Sequence, residues 1–247
     1  ALLQVVNNPD DAQIDAAMIE LRAQAQQFGA EIRVGIIQSL DDQILIDAIT
    51  RFQSAYPNCG VKIIKDWSAT LSTLLANGEV DFAFLSDHFL AHENPEIKRE
   101  LLFVDHVRIV IGEKHELYLR DQLTLADLAN HQWVAVSTRP DWPQFLAKVF
   151  ASADIHKTPR LLRTNSMTLS AALITGGHAI GMLSQKLFRS SDHAGRVKYF
   201  SIPEIEHERR FSICRRARMV VRSFHEYFIE SLRTAIHKQI DTDGLHH

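Results

Sequence analysis

Cysteine is scarce: Cys59 and Cys214 are the only two in 247 residues, and they lie far apart. They form neither a metal-binding spacing nor a disulfide frame, which points to a reducing compartment. No run of about 18 apolar residues occurs, so no segment reads as a membrane-spanning helix. An excess of charge is missing too: 27 Lys and Arg against 30 Asp and Glu give a formal charge of −3. Domains that grip DNA or RNA through phosphates are usually clearly basic, so these residues are not expected to do so themselves. Catalytic and nucleotide signatures are lacking as well, with no G-x-S-x-G, no H-E-x-x-H and no G-x-x-x-x-G-K-[ST]. The opening ALLQVVNNPDD has neither the basic start nor the apolar centre of a secretory signal. What remains is an ordinary globular composition, 46% apolar and 23% charged, long enough for one large core or two small ones.

Residues 12–28 predict a helix with Ile14, Met18, Leu21, Ala25 and Phe28 in a heptad-like seam, capped by Asp10 or Asp11. From residue 31 strands and helices alternate. EIRVGII, VKIIKDW, VDFAFLS and LLFVDHVRIVIG read as strands, with helices in SLDDQILIDAITRFQSAY and SATLSTLLA. Asn77-Gly78 reads as a helix C-cap. The pattern then repeats. QWVAVS, TPRLLRT, HAIGMLS, VKYFSI and RRFSICRR are strands; LTLADLA, PDWPQFLAKVFASA (with Pro140 near its start), SMTLSAALIT and a final stretch at 218–238 are helices. In the last, Val221, Phe224, Phe228, Leu232 and Ala235 share a face. Such alternation predicts a mostly parallel sheet covered by helices, in two similar α/β lobes that meet near Gly112–Asp121.

The densest glycine cluster, ITGGHAIGML at 174–183, is not a dinucleotide fingerprint. Its spacing is G-G-x-x-x-G, and a helix precedes it while a strand follows. Gly176-Gly177 is expected to end the helix with one residue in the left-handed conformation. Gly181 is expected where another backbone passes close.

Small hydroxyl or amide residues recur where strands give way to helices: Gln38-Ser39, Ser68 with Thr70, Ser137-Thr138, and Thr164-Asn165-Ser166. Singly, each reads as a helix cap, and Ser39 with Asp42 resembles a capping box. Together they mark strand C-terminal ends, where open α/β sheets bind ligands. Helix N-termini there offer N–H groups suited to a carboxylate or similar anion. Trp67, Trp142 and Phe145 fall close to these junctions and can supply flat apolar walls. His88 and His92 have helical spacing for a metal but no third ligand, so no metal site is expected. His178 reads as a satisfied, partly buried histidine. Arg209-Arg210 and Arg215-Arg216-Ala217-Arg218 read as solvated strand ends. No acid–base pair stands out, so neither enzymatic activity nor a cofactor is expected.

The order of these elements resembles the effector-binding region of LysR-type transcriptional regulators. EIRVGIIQSL is similar to that family's first strand and loop, and AITRFQSAYPNCGVKI to its helix ending in F…YP. KDWSATLSTLLANGEVDFAFL, LLFVDHVRIVIGEKHEL, LTLADLANHQWVAVS and TNSMTLSAALITGGHAIGMLSQ follow in register, so the likeness covers about 31–235. Two positions depart from the pattern: Ser184 follows Leu183 where the family often has Pro, and the HPL-like turn reads His115-Glu116-Leu117. The resemblance implies two Rossmann-like lobes of periplasmic-binding-protein type II with a ligand cleft between them. It divides the chain into a linker or dimerisation helix at 1–30, lobe I at 31–112 plus 203–240, lobe II at 113–202 and a tail at 241–247. It also implies a cytoplasmic, non-membrane homodimer or homotetramer that senses a small organic co-inducer, anionic or aromatic. The signal would pass to DNA through a winged helix-turn-helix domain outside these residues. Carried over, the ligand-binding residues are Gln38, Ser39, Ser68, Thr70, Ser137, Asn165 and Ser166, with Thr138 beside them. A solute-binding protein serving a transporter is the alternative.

Overall fold

The computed structural model describes residues 30–86, 95–136, 141–188 and 195–242, the side chains of 240–242 excepted. The helix expected at 12–28, the His88–His92 pair, Ser137, Thr138 and Pro140 lie outside the described residues. In chain order the elements are β1 (Glu31–Ile37), α1 (Asp42–Ala55), β2 (Gly60–Asp66), α2 (Ser68–Asn77), β3 (Phe82–Ser86) and β4 (Ile97–Gly112). A 3-10 turn at Glu116–Leu119 leads to α3 (Leu125–Leu128), β5 (Gln132–Val136), α4 (Trp142–Ser152), β6 (Arg160–Thr164) and α5 (Met167–Thr175). Then come β7 (Ile180–Ser184), α6 (Gln185–Phe188), β8 (Val197–Phe200), β9 (His207–Arg216) and α7 (Ser223–Thr242). None of the described helices is long and apolar enough to cross a membrane. The described residues divide into two compact units: 30–34 with 42–64 and 218–242, and 35–41 with 65–217.

The first unit is built on two amphipathic helices and the start of β1 beside β2. Ile44, Leu45, Ala48 and Phe52 recur at helical spacing on α1 and are buried. On α7, Phe224, Phe228, Leu232 and Ala235 do the same; Val221 falls before the helix begins. The two apolar faces meet through Phe52 and Phe228, edge to face at 5.3 Å, with Phe52 stacked on Tyr56 at 5.4 Å and Tyr56 against Tyr227 at 5.5 Å.

In the second unit the strand order is β3-β9-β4-β7-β5-β6, with β8 also on β4 and the end of β1 beside β3. Parallel pairing holds for β5 with β6 and with β7. The mostly parallel expectation fails at β4 and β9, which form a long antiparallel ladder from Ile97 to Val107. β3–β9, β4–β7 and β4–β8 are antiparallel as well. β9 does not follow β4 through a single crossover helix: residues 113–206, with β5 to β8 among them, lie between the two, so no strand–helix–strand unit imposes parallel pairing.

The core around β5 centres on Trp133, 1% exposed, whose indole N–H donates to the Leu128 carbonyl at 3.2 Å while Phe150 packs at 5.9 Å. Two close approaches fix the α5 side of the sheet. A Cβ on Gly112 would stand 1.9 Å from the Ile174 carbonyl oxygen, so backbone passes backbone there. At Gly181 the expected close backbone is instead a side chain: the Ile174 Cδ1 would meet an added Cβ at 2.4 Å. Gly177 is the left-handed residue after α5, at φ 76°, and Gly78 plays that part after α2 at φ 78°. Arg216 closes the end of α2, its Nη1 donating to the carbonyls of Leu75 at 2.6 Å and Val80 at 2.9 Å.

Candidate functional site

The second unit contains a cavity of about 340 Å³ whose lining residues all belong to that unit. Its walls gather at the carboxyl ends of several strands. Ile37 ends β1 and Ser39 follows in the loop after it, Trp67 and Ser68 come from the start of α2, and Val136 from the end of β5. Trp142 and Phe145 come from α4, Met167 from α5, and Met182, Leu183 and Ser184 from β7, with Phe188 following on α6. Val107 of β4 and residues 204–209, where the chain enters β9, complete the lining. Volumes of a few hundred Å³ suit small organic ligands.

The residues named from sequence divide. Ser39 and Ser68 line the cavity, and so do Trp67, Trp142 and Phe145. Gln38 does not; its backbone N–H joins the Asp66 carbonyl at 3.0 Å. Thr70 is exposed on the first turn of α2, and Asn165 is exposed beside α5. Ser166 caps α5, its Oγ accepting the Leu169 N–H at 3.1 Å, and it is the next residue, Met167, that reaches the cavity. His178 is exposed, contrary to the partly buried reading.

Neither lining serine caps a helix through its side chain. Ser68 Oγ accepts the backbone N–H of Ser86 at 3.1 Å, tying the start of α2 to the end of β3. Ser39 Oγ is buried and has no hydrogen-bond partner among the described residues, so the capping box with Asp42 does not form. The indole N–H of Trp142, a residue 8% exposed, is likewise buried without a partner. Each such group carries a desolvation cost of about 1–3 kcal/mol that a bound molecule can relieve.

Charge enters from β9 and the turn before it. Arg209 lines the cavity, donates from Nη1 to Ser184 Oγ at 3.3 Å and lies over the Phe211 ring at 5.1 Å. Read as a solvated strand end in sequence, it is a cation held at a cavity wall. Glu204, Glu206 and Glu208 also line the cavity. Glu206 is engaged with Arg108 at 3.0 Å and His106 at 3.5 Å, and Ser201 Oγ donates to it.

Asp105 positions one wall from behind. It is 1% exposed, and its carboxylate accepts the N–H groups of Lys186 at 3.0 Å and Leu187 at 3.2 Å, which fixes the start of α6 and hence Phe188. Burial pushes the Asp105 carboxyl above the usual carboxylate value, while the N–H groups of Lys186, Leu187 and His106 pull it back. Among the described residues no group of three or more His, Cys, Asp or Glu is placed to hold a metal ion.

A family model described as LysR substrate binding domain matches residues 25–236. The "Uncharacterized HTH-type transcriptional regulator YybE" of Bacillus subtilis (strain 168) is 22% identical over 165 residues, covering 66% of this chain and 55% of that relative. The chain therefore spans about half the length of this curated relative. The solved effector-binding domain of QuiR in complex with shikimate superposes with a TM-score of 0.63 at 18% identity, over 85% of this chain and 98% of that one. The BenM effector-binding domain with its effector benzoate gives 0.58 at 19% identity, over 88% and 95%. These likenesses show the fold: the two-lobed, type II periplasmic-binding-protein α/β fold of LysR effector-binding domains.

Proposed function

The chain belongs to the LysR substrate-binding-domain family and is an effector-binding domain of the LysR type, and from that premise we propose that the cavity beside Trp142 and Arg209 is its effector site. Its ligand is a small organic acid with a flat or apolar body. The observation that carries this reading is the composition of the wall. Two lining residues, Ser39 and Trp142, carry a buried polar group without a partner among the described residues, beside a guanidinium and the rings of Trp67, Trp142 and Phe145. An acid group suits the donors, and the rings suit the body. Shikimate and benzoate, held by the two solved domains of this fold, are both small carboxylic acids.

The mechanism that goes with the site is a population shift. A ligand that favours one arrangement of the protein changes how subunits of a homodimer or homotetramer pack, and so how their DNA-binding domains are spaced. It shifts the balance only by its differential affinity for the two arrangements. We assign lobe I to 31–112 with 203–240 and lobe II to 113–202, following the order of the elements in the family. A cytoplasmic location fits a DNA-directed role, and the family match favours this reading over the transporter-associated alternative.

Thermal-shift screening of small carboxylic acids, with benzoate and shikimate among the probes, tests the site. At least one acid raises the melting temperature saturably, and Arg209→Gln weakens its binding by roughly tenfold or more, the scale of one charge-assisted hydrogen bond. Ser39→Ala weakens it without lowering the stability of the free protein, because no internal bond is lost. An acid whose affinity is unchanged by Arg209→Gln would show that it binds elsewhere.

A further inference from the structure

We propose that the ligand of this cavity is amphoteric, carrying an ammonium or similar cationic nitrogen besides its acid group. The inference rests on the effector-site reading above and adds the second charge to it. Among the described residues, the charged lining consists of one guanidinium, Arg209, and three carboxylates, Glu204, Glu206 and Glu208. Glu206 is neutralised by Arg108 at 3.0 Å. The side chains of Glu204 and Glu208 make no hydrogen bond or ion pair with any described residue. Among the described residues, a ligand with only negative charge thus meets one cation and two carboxylates without an ion-pair partner at the same wall, which is unfavourable. A ligand with charge of both signs matches Arg209 with its acid and Glu204 or Glu208 with its nitrogen.

Two further features point the same way. The walls hold two indole rings, Trp67 and Trp142, with Phe145 edge-on to Trp142 at 5.5 Å. Indole faces are the best aromatic partners for an ammonium group. Trp142 itself is 8% exposed, and its N–H has no hydrogen-bond partner among the described residues, so an acceptor brought to this wall would satisfy it. The cavity therefore offers recognition for an acceptor, an anion, a cation and an apolar frame together. α-Amino acids with an aromatic or branched side chain are the simplest molecules that fit.

The test uses matched triads sharing one carbon frame: phenylalanine, 3-phenylpropanoate and 2-phenylethylamine, with the equivalent sets for tryptophan and leucine. Calorimetric titration of the wild-type protein is expected to show an amino acid binding about tenfold more tightly than both its acid and its amine. The Glu204→Gln/Glu208→Gln double variant changes two exposed residues, so folding is preserved. In it the preference for the amino acid falls to within about threefold, while the acid binds as before or more tightly. The proposal is overturned if the acids equal or exceed their amino acids, if the preference survives in the double variant, or if no amino acid binds at millimolar concentration. Binding of an acid that depends on Arg209 without preference for the nitrogen removes this proposal and leaves the effector site standing. If no binding of any kind depends on Arg209, the effector-site reading falls with it.

Discussion

His115 accepts the Leu117 N–H on its Nδ1 at 3.2 Å, so that nitrogen must stay unprotonated for the following turn to close. Burial, then the neighbouring His131 ring at 5.0 Å, hold its pKa below the ordinary 6.5, and Glu116 only partly restores it. In the pH window between the lowered folded value and 6.5 the unfolded chain binds more protons than the folded one. Stability from this group is therefore complete above pH 6.5 and is lost as pH falls through the folded value. His115→Asn keeps an acceptor at this position, so it is expected to lie within about 1 kcal/mol of wild type at pH 7.5 and to lose less on acidification. Urea melts at pH 7.5, 6.5 and 5.5 measure this, and parallel declines would refute it. The same scale shows what sequence does and does not disclose. Trp67, Trp142 and Phe145 were legible as walls because they adjoin strand ends. Arg209 was not, since arginines at a strand end look alike in sequence. What distinguishes it is Ser184, 25 residues earlier, and the Phe211 ring beneath it. Ser39 reads as a cap until the structure shows its hydroxyl unpartnered.

At the scale of elements, hydrophobic periodicity located the strands and longer helices, because one buried face sets the spacing of apolar residues. α6 escaped it: four residues make barely one turn, and what holds them is the remote Asp105 carboxylate. The antiparallel pairing of β4 with β9 escaped for a related reason, as partners a hundred or more residues apart leave no local pattern. The seating of α5 on the sheet depends on Gly112, where a methyl group would collide with the Ile174 carbonyl. Gly112→Ala is expected to destabilise by about 2 kcal/mol or more through forced backbone movement. Gly60→Ala, whose added Cβ would meet nothing nearer than 3.5 Å, should change stability by less than about 1 kcal/mol. Chemical denaturation of both variants checks the contrast, and equal effects would show that α5 can shift without cost.

For the whole molecule, the ordered series of elements carried more than any single motif: the resemblance spanning about 31–235 corresponds to a family match over 25–236. Composition alone could not reveal that the polar wall mixes Arg209 with three glutamates, because a net charge of −3 says nothing about where charges meet. The central claim is that the cavity under Trp67 and Trp142 holds the effector. The protein has three tryptophans: these two line the cavity, and Trp133 is sealed in the core at 1% exposure. Tryptophan emission, titrated with an acid selected by thermal shift, reads the cavity directly. The account predicts a saturable change in the wild type that disappears in the Trp67→Phe/Trp142→Phe double variant, with Trp133 emission steady throughout. A saturable change that persists undiminished in the double variant would contradict it.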